Sequence, residues 1–88
     1  MQTREGYLLR DVAGTPVVVA TGKAAEQFLG MMNLNKTGAF FWKLLEKGAT
    51  EEELVEKALE QYEVSEEVVR RDVKGFLERL AQIGALEP

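Results

Sequence analysis

Apolar positions along this chain change period once, near residue 35. Before it they fall in short alternating or β-branched stretches; after it they recur at spacings of three and four. Tyr7–Val12 is apolar with partial alternation, and Val17–Ala20 is a continuous β-branched run. Ala13-Gly14-Thr15 between them is a turn signal, closed by Pro16, so the two stretches predict a hairpin. Pro16 donates no hydrogen bond and should sit at the start of its strand or on an unpaired side. Met1–Glu5 reads as a frayed start. Thr21-Gly22 breaks the second strand, and Lys23–Gln27 reads either as one helical turn or as a loop. Phe28–Leu34 has the pattern of a third strand. Phe28, Gly30, Met32 and Leu34 would share one face, and Leu29, Met31 and Asn33 the other. Both faces carry bulky apolar groups. Either the chain's own helices cover both, or one is left for a partner.

Three helices follow. Asn35 is a good N-cap, and Phe40, Phe41, Leu44 and Leu45 form one face of a helix that stops at Gly48. Trp42 falls off the centre of that face. Thr50-Glu-Glu-Glu53 is a capping box with acids at the positive end of the helix dipole. It opens a second helix with the stripe Leu54, Val55, Ala58, Leu59 and Tyr62. Ser65 caps a third, in which Val69, Val73, Phe76, Leu80 and Ile83 recur at four, three, four and three. Gly84 ends it, and Ala85-Leu86 should tuck back as an apolar contact. Gly75 sits inside this helix, where glycine costs on the order of 1 kcal/mol relative to alanine. The order β-β-β-α-α-α predicts an α+β, winged helix-turn-helix-like domain: a three-stranded antiparallel sheet followed by three helices.

Composition narrows what such a domain does. Eighty-eight residues make one small domain with one core, residues 1–88 together. The chain has no cysteine and no histidine. Disulfides, thiolate chemistry, the commonest zinc ligands and the commonest general base are absent together. The acids and amines that remain lie almost entirely on polar helix faces, which argues against an enzyme. No phosphate loop, nucleophile elbow or metal loop is present, and no cofactor is called for. Ser65 is the only serine, and it is a cap. No apolar run reaches membrane-span length and no signal-peptide pattern opens the chain, so no membrane partner is expected, and the lack of cysteine points to a reducing cytoplasm. The charge of −4 is uneven: residues 1–49 carry six basic and four acidic groups, and residues 50–88 five basic and eleven acidic. The helical half, at −6, suits no phosphate backbone, so nucleic acid is not expected as a partner.

Binding remains. A small three-stranded sheet exposes an edge unless something covers it, and an edge beside an apolar groove is what a peptide needs to add a strand. Three motifs sharpen this. Leu34-Asn-Lys-Thr-Gly-Ala-Phe-Phe-Trp42 resembles the L-N-x-T-G-A-x-x-W signature of the PqqD-like family. Thr50–Val55 with Tyr62 resembles that family's second helix, and Asp72-Val-Lys-Gly-Phe-Leu77 with Leu80 and Gly84-Ala-Leu86 its ending, with Ala85 where a second Leu is common. The likeness spans roughly residues 6 to 87. It implies a non-catalytic recognition element for ribosomally made, post-translationally modified peptides. Such a domain binds the leader segment of a precursor peptide as an added strand on the third strand, beside the third helix. It delivers that segment to a modifying enzyme, often a radical S-adenosylmethionine enzyme. The implied site is Phe28, Leu29, Gly30, Met31, Met32 and Asn33 on one side, with Val69, Arg70, Asp72, Val73, Lys74 and Phe76 on the other. Within it, Leu29–Met32 would offer backbone groups, Val69 and Val73 would floor a pocket, and Arg70 or Lys74 would meet an acidic leader residue. Two other classes stay open: a winged-helix DNA binder using Arg70, Arg71, Lys74 and Arg79, and a structural module that dimerises through the sheet edge. A homodimer there would compete with peptide.

Overall fold

A computed structural model of the chain describes residues 1–28 and 30–87. Its elements are β1 (Gln2–Thr3), β2 (Tyr7–Val12), β3 (Thr15–Ala20), α1 (Ala24–Gln27), β4 (Met31–Asn33), α2 (Lys36–Glu46), α3 (Glu51–Gln61), α4 (Glu66–Gln82) and β5 (Leu86–Glu87). The antiparallel sheet β2-β3-β4 and the helices α2–α4 make the expected α+β architecture. The predicted third strand is β4, and the predicted third helix is α4.

The hairpin forms as its residues direct. Val12 pairs with Thr15 across a two-residue turn, with Ala13 at φ 54 and Gly14 at φ 85. Two positive φ values make a type I′ turn, whose twist matches that of the strands it joins. Asp11 Oδ1 accepts from Gly14 N at 2.8 Å and holds it. The helix caps also form. Asn35 Oδ1 accepts from Gly38 N, Thr50 and Glu53 exchange both capping-box bonds, and Ser65 Oγ accepts from Val68 N.

Three expectations need correction, and one open reading is decided. The N-terminus is not frayed. β1 pairs with β5, Gln2 opposite Glu87 and Thr3 opposite Leu86. Arg4 N donates to Ala85 O, Ala49 N to Met1 O, and the Tyr7 hydroxyl to Ile83 O at 2.7 Å. Trp42 is not off-centre either. The buried stripe of α2 is Gly38, Phe41, Trp42 and Leu45, and Trp42 is fully buried. Phe40 lies on the flank instead, edge-on to Tyr62 with ring centroids 5.5 Å apart. The ambiguous Lys23–Gln27 contains a helical turn, and Phe28 caps it through its N–H to Ala24 O. The third strand is therefore three residues long, not seven. Gly30, at φ 109, turns the chain into it.

Pro16 explains where β4 stops. Leu34 N donates to Pro16 O at 2.9 Å, but Pro16 has no N–H to return to Leu34, so the ladder ends at Asn33. Toward β2, Pro16 stands opposite Asp11 at a position that exchanges no ladder bonds, and nothing is lost there. The core lies between the sheet and the helices. It is built from Val18, Phe41, Trp42, Leu45, Leu54, Val55, Val73 and Leu80, each almost wholly buried.

Candidate functional site: a bare strand edge beside a groove

Hydrogen-bonding alternation fixes which backbone groups β4 offers. The Leu34–Pro16 bond makes that pair a bonded one, so Asn33–Val17 is unbonded, Met32–Val18 bonded and Met31–Val19 unbonded. The N–H and C=O of Met32 are therefore committed to β3, while those of Met31 and Asn33 point away from the sheet. Side chains alternate in the same register. Met32 is buried, and Met31, 60% exposed, stands clear. Among the described residues, no donor or acceptor meets the outward groups of Met31 and Asn33. The opposite sheet edge is treated differently. On β2, Tyr7 N donates to Arg4 O, and Leu9 O accepts from Arg10 Nη1. One edge is blunted by local bonds and charge, and the other is left bare.

A groove starts where β4 ends. Leu34, Asn35, Thr37 and Gly38 form one wall of a cavity of about 330 Å³. α4 forms the other through Arg71, Asp72, Gly75, Phe76 and Arg79. A smaller cavity of about 90 Å³ adjoins it, sharing Thr37, Phe41 and Asp72 and adding Val64, Val69 and Tyr62. Val64 and Val68, at the start of α4 and just before it, are exposed apolar side chains on this side. The ring of Phe41 packs on that of Phe76 at 5.8 Å and closes the floor.

The rotation of α4 decides which of its charges face this groove. At about 100° per residue, Arg70 lies roughly opposite Arg79 on the helix. Arg70 is turned toward α3, where its guanidinium forks onto Glu52 at 2.7 and 3.1 Å and also bonds Glu66 at 2.8 Å. The hydrogen bond from Arg70, then its charge, hold the Glu52 carboxyl below the usual carboxylate range. Those same bonds raise Arg70, so it stays charged.

The structure thus brings together only part of the site expected from sequence. Met31 and Asn33 present the open edge, Asp72 and Phe76 line the groove, and Val69 lines its smaller extension. Phe28 is half-buried, its ring 6.4 Å from that of Tyr7. Gly30 is exposed at the turn into β4. Val73 is fully buried in the core, Arg70 is tied to α3, and Lys74 is exposed on the side away from the groove. Met32 faces inward in both side chain and backbone. Leu29 lies outside the described residues. Sequence reasoning left Arg71, Gly75 and Arg79 out of the peptide site, with the two arginines entering only as candidate DNA contacts. Their spacing of four and four on one helical flank was the available signal. Among the described residues, no group of three or more acidic side chains could hold a metal ion, and no helix is long and apolar enough to cross a membrane.

No curated protein matches this chain. Two solved structures do. One, described as TbiB1 in complex with the TbiA(beta) leader peptide, is 28% identical with a TM-score of 0.80, over 99% of this chain and 95% of that one. The other, lasso peptide synthetase B1 complexed with the leader peptide, is 20% identical with a TM-score of 0.77, over 99% and 96%, and at that identity shows the shared fold alone. Residues 17–86, most of the chain, match the family model of coenzyme PQQ synthesis protein D, and with sheet, helices and motifs in accord the chain belongs to the PqqD family.

Proposed function

We propose that this chain is a non-catalytic adaptor. It binds the leader segment of a ribosomally made precursor peptide as a fourth strand on β4 and presents it to a modifying enzyme, a radical S-adenosylmethionine enzyme being the partner type the family likeness implies. The observation that carries this reading is the bare edge: Met31 and Asn33 aim unpaired backbone groups outward at the mouth of the groove between α2 and α4. Strand addition draws affinity from main-chain hydrogen bonds and selectivity from pockets for alternate side chains. The exposed Met31, unbranched and adaptable, suits an apolar peptide side chain. The leader peptide bound in the TbiB1 structure supports the same use of the fold here. With neither histidine nor cysteine, the chain brings the modifying enzyme a substrate rather than a reacting group. Such work belongs in the cytoplasm, where precursors are made.

The test is titration of isotopically labelled protein with the leader of a precursor encoded beside it. Amide shifts should concentrate at Met31, Asn33 and Asp72–Phe76, with no response to duplex DNA. The same bare edge also favours pairing between two copies of the chain. Sedimentation at rising concentration separates the readings: a dimer that leader dissociates shows both share the edge, and a dimer indifferent to leader sinks the strand-addition reading.

A further inference from the structure

Gly75 sits in the middle of α4, where alanine would be more favourable by about 1 kcal/mol. None of the usual reasons for a helical glycine applies. Its φ is not positive, α4 runs unbroken from Glu66 to Gln82, and a Cβ built on it would meet nothing within 4 Å. What Gly75 does is leave a notch in the wall of the 330 Å³ groove. Arg71 and Arg79 stand four residues before and after it on the same flank, each about 6 Å away along the helix axis. Among the described residues neither has a carboxylate within ion-pair distance, in contrast to Arg70, which has two. Of the charged side chains that line the groove, two are cations and one, Asp72, is an anion. The facing wall is the first turn of α2, the positive end of that helix's dipole.

We propose that the Arg71–Gly75–Arg79 flank receives a carboxylate side chain, Asp or Glu, of the bound peptide, which passes over Gly75 and is held between the two guanidinium groups. The inference rests on the leader-binding reading above and adds the residue class read at this position. Gly75 acts by having no side chain: a methyl there lifts the peptide off the helix and away from both arginines. Arg71 and Arg79, not Arg70, are then the charges that select the peptide, within a helical half that is otherwise strongly acidic.

The experiment is a fluorescence anisotropy titration with the labelled leader of the precursor encoded beside this chain, and with copies in which each Asp or Glu in turn is changed to Asn or Gln. On the unaltered protein one replacement should weaken binding by about tenfold, the scale of a charge-assisted pair. In the double variant Arg71→Gln, Arg79→Gln that replacement should cost under about twofold. Gly75→Ala should raise the thermal midpoint by about 5 °C while weakening the unaltered leader several-fold. A leader with no acidic residue that still binds, an acid effect that survives in the double variant, or full affinity in Gly75→Ala would each overturn the proposal. A folded, unaltered protein that binds no leader would overturn the adaptor reading, and this one with it.

Discussion

Met31 and Met32 are neighbours whose backbone groups face opposite ways, and proline can interrogate each in turn. Proline removes an N–H and adds a ring at that site. At Met31 the lost donor points to open solvent, the pair with Val19 exchanges no ladder bonds, and the side chain is 60% exposed. Met31→Pro should therefore leave the fold nearly intact. At Met32 the lost donor serves Val18, and the side chain is only 8% exposed. Losing one ladder bond and a buried side chain costs on the order of 3 kcal/mol. A chain of 88 residues has an unfolding entropy of about 0.18 kcal/mol/K. Met32→Pro should thus lower the thermal midpoint by about 15 °C, and Met31→Pro by less than about 5 °C. Binding should show the reverse. One net backbone hydrogen bond, about 0.5–1.5 kcal/mol, is worth about two- to tenfold in affinity, and the ring's obstruction of an added strand takes the loss at Met31→Pro to tenfold or more. Met31→Ala keeps the donor and separates side chain from backbone. The assays are thermal unfolding by circular dichroism and leader titration by anisotropy. Leader binding undiminished in a folded Met31→Pro variant would refute strand addition at β4. Equal destabilisation by the two prolines would refute the assignment of β4's outward groups.

Three further outcomes are expected. Ala13, the one non-glycine residue described at positive φ, should give about 0.5–1 kcal/mol of stability on change to glycine, read as a raised denaturant midpoint with unchanged slope. Deletion of Met1–Glu5 should lower the thermal midpoint by 10 °C or more, because it removes β1, the Ala49–Met1 bond and the Arg4 bonds to Ala85 and Leu86; an unchanged midpoint would mean the clasp is idle. Arg70 depresses Glu52, so the tie between α3 and α4 is present above the ordinary carboxylate range and is lost as acid carries the pH through the folded-state value. Carboxyl NMR should find Glu52 titrating below the ordinary carboxylate range, and Arg70→Gln should raise it back toward that range.

What could be read from the chain beforehand was what is local. Asn35, Thr50 with Glu53, and Ser65 cap helices through bonds that span three residues, and the Val12–Thr15 hairpin closes over two. What escaped was set at a distance. Gln2-Thr3 carries no strand signal, and its partner lies more than eighty residues away. Where β4 stops was decided from across the sheet, by the donor Pro16 lacks. Arg70 and Arg71 are adjacent in sequence. Only the burial of Val69 and Val73, which sets the rotation of α4, sends one to α3 and the other to the groove. Trp42 and Phe40 were ranked wrongly because Tyr62, from the end of α3, covers Phe40 and lets a second apolar face persist.

The pairing of Gln2 with Glu87 also bears on how the domain can be carried by other proteins. Partnered antiparallel residues lie about 5 Å apart, so entry and exit share one doorway. A host enzyme could hold the whole unit on a single surface loop, tethered at two points and thus fixed in orientation, where fusion at one end would leave it free to swing. Joining the ends with a few residues and reopening the chain between Ala13 and Gly14 should yield a circular permutant with the same groove, its former clasp now an ordinary hairpin.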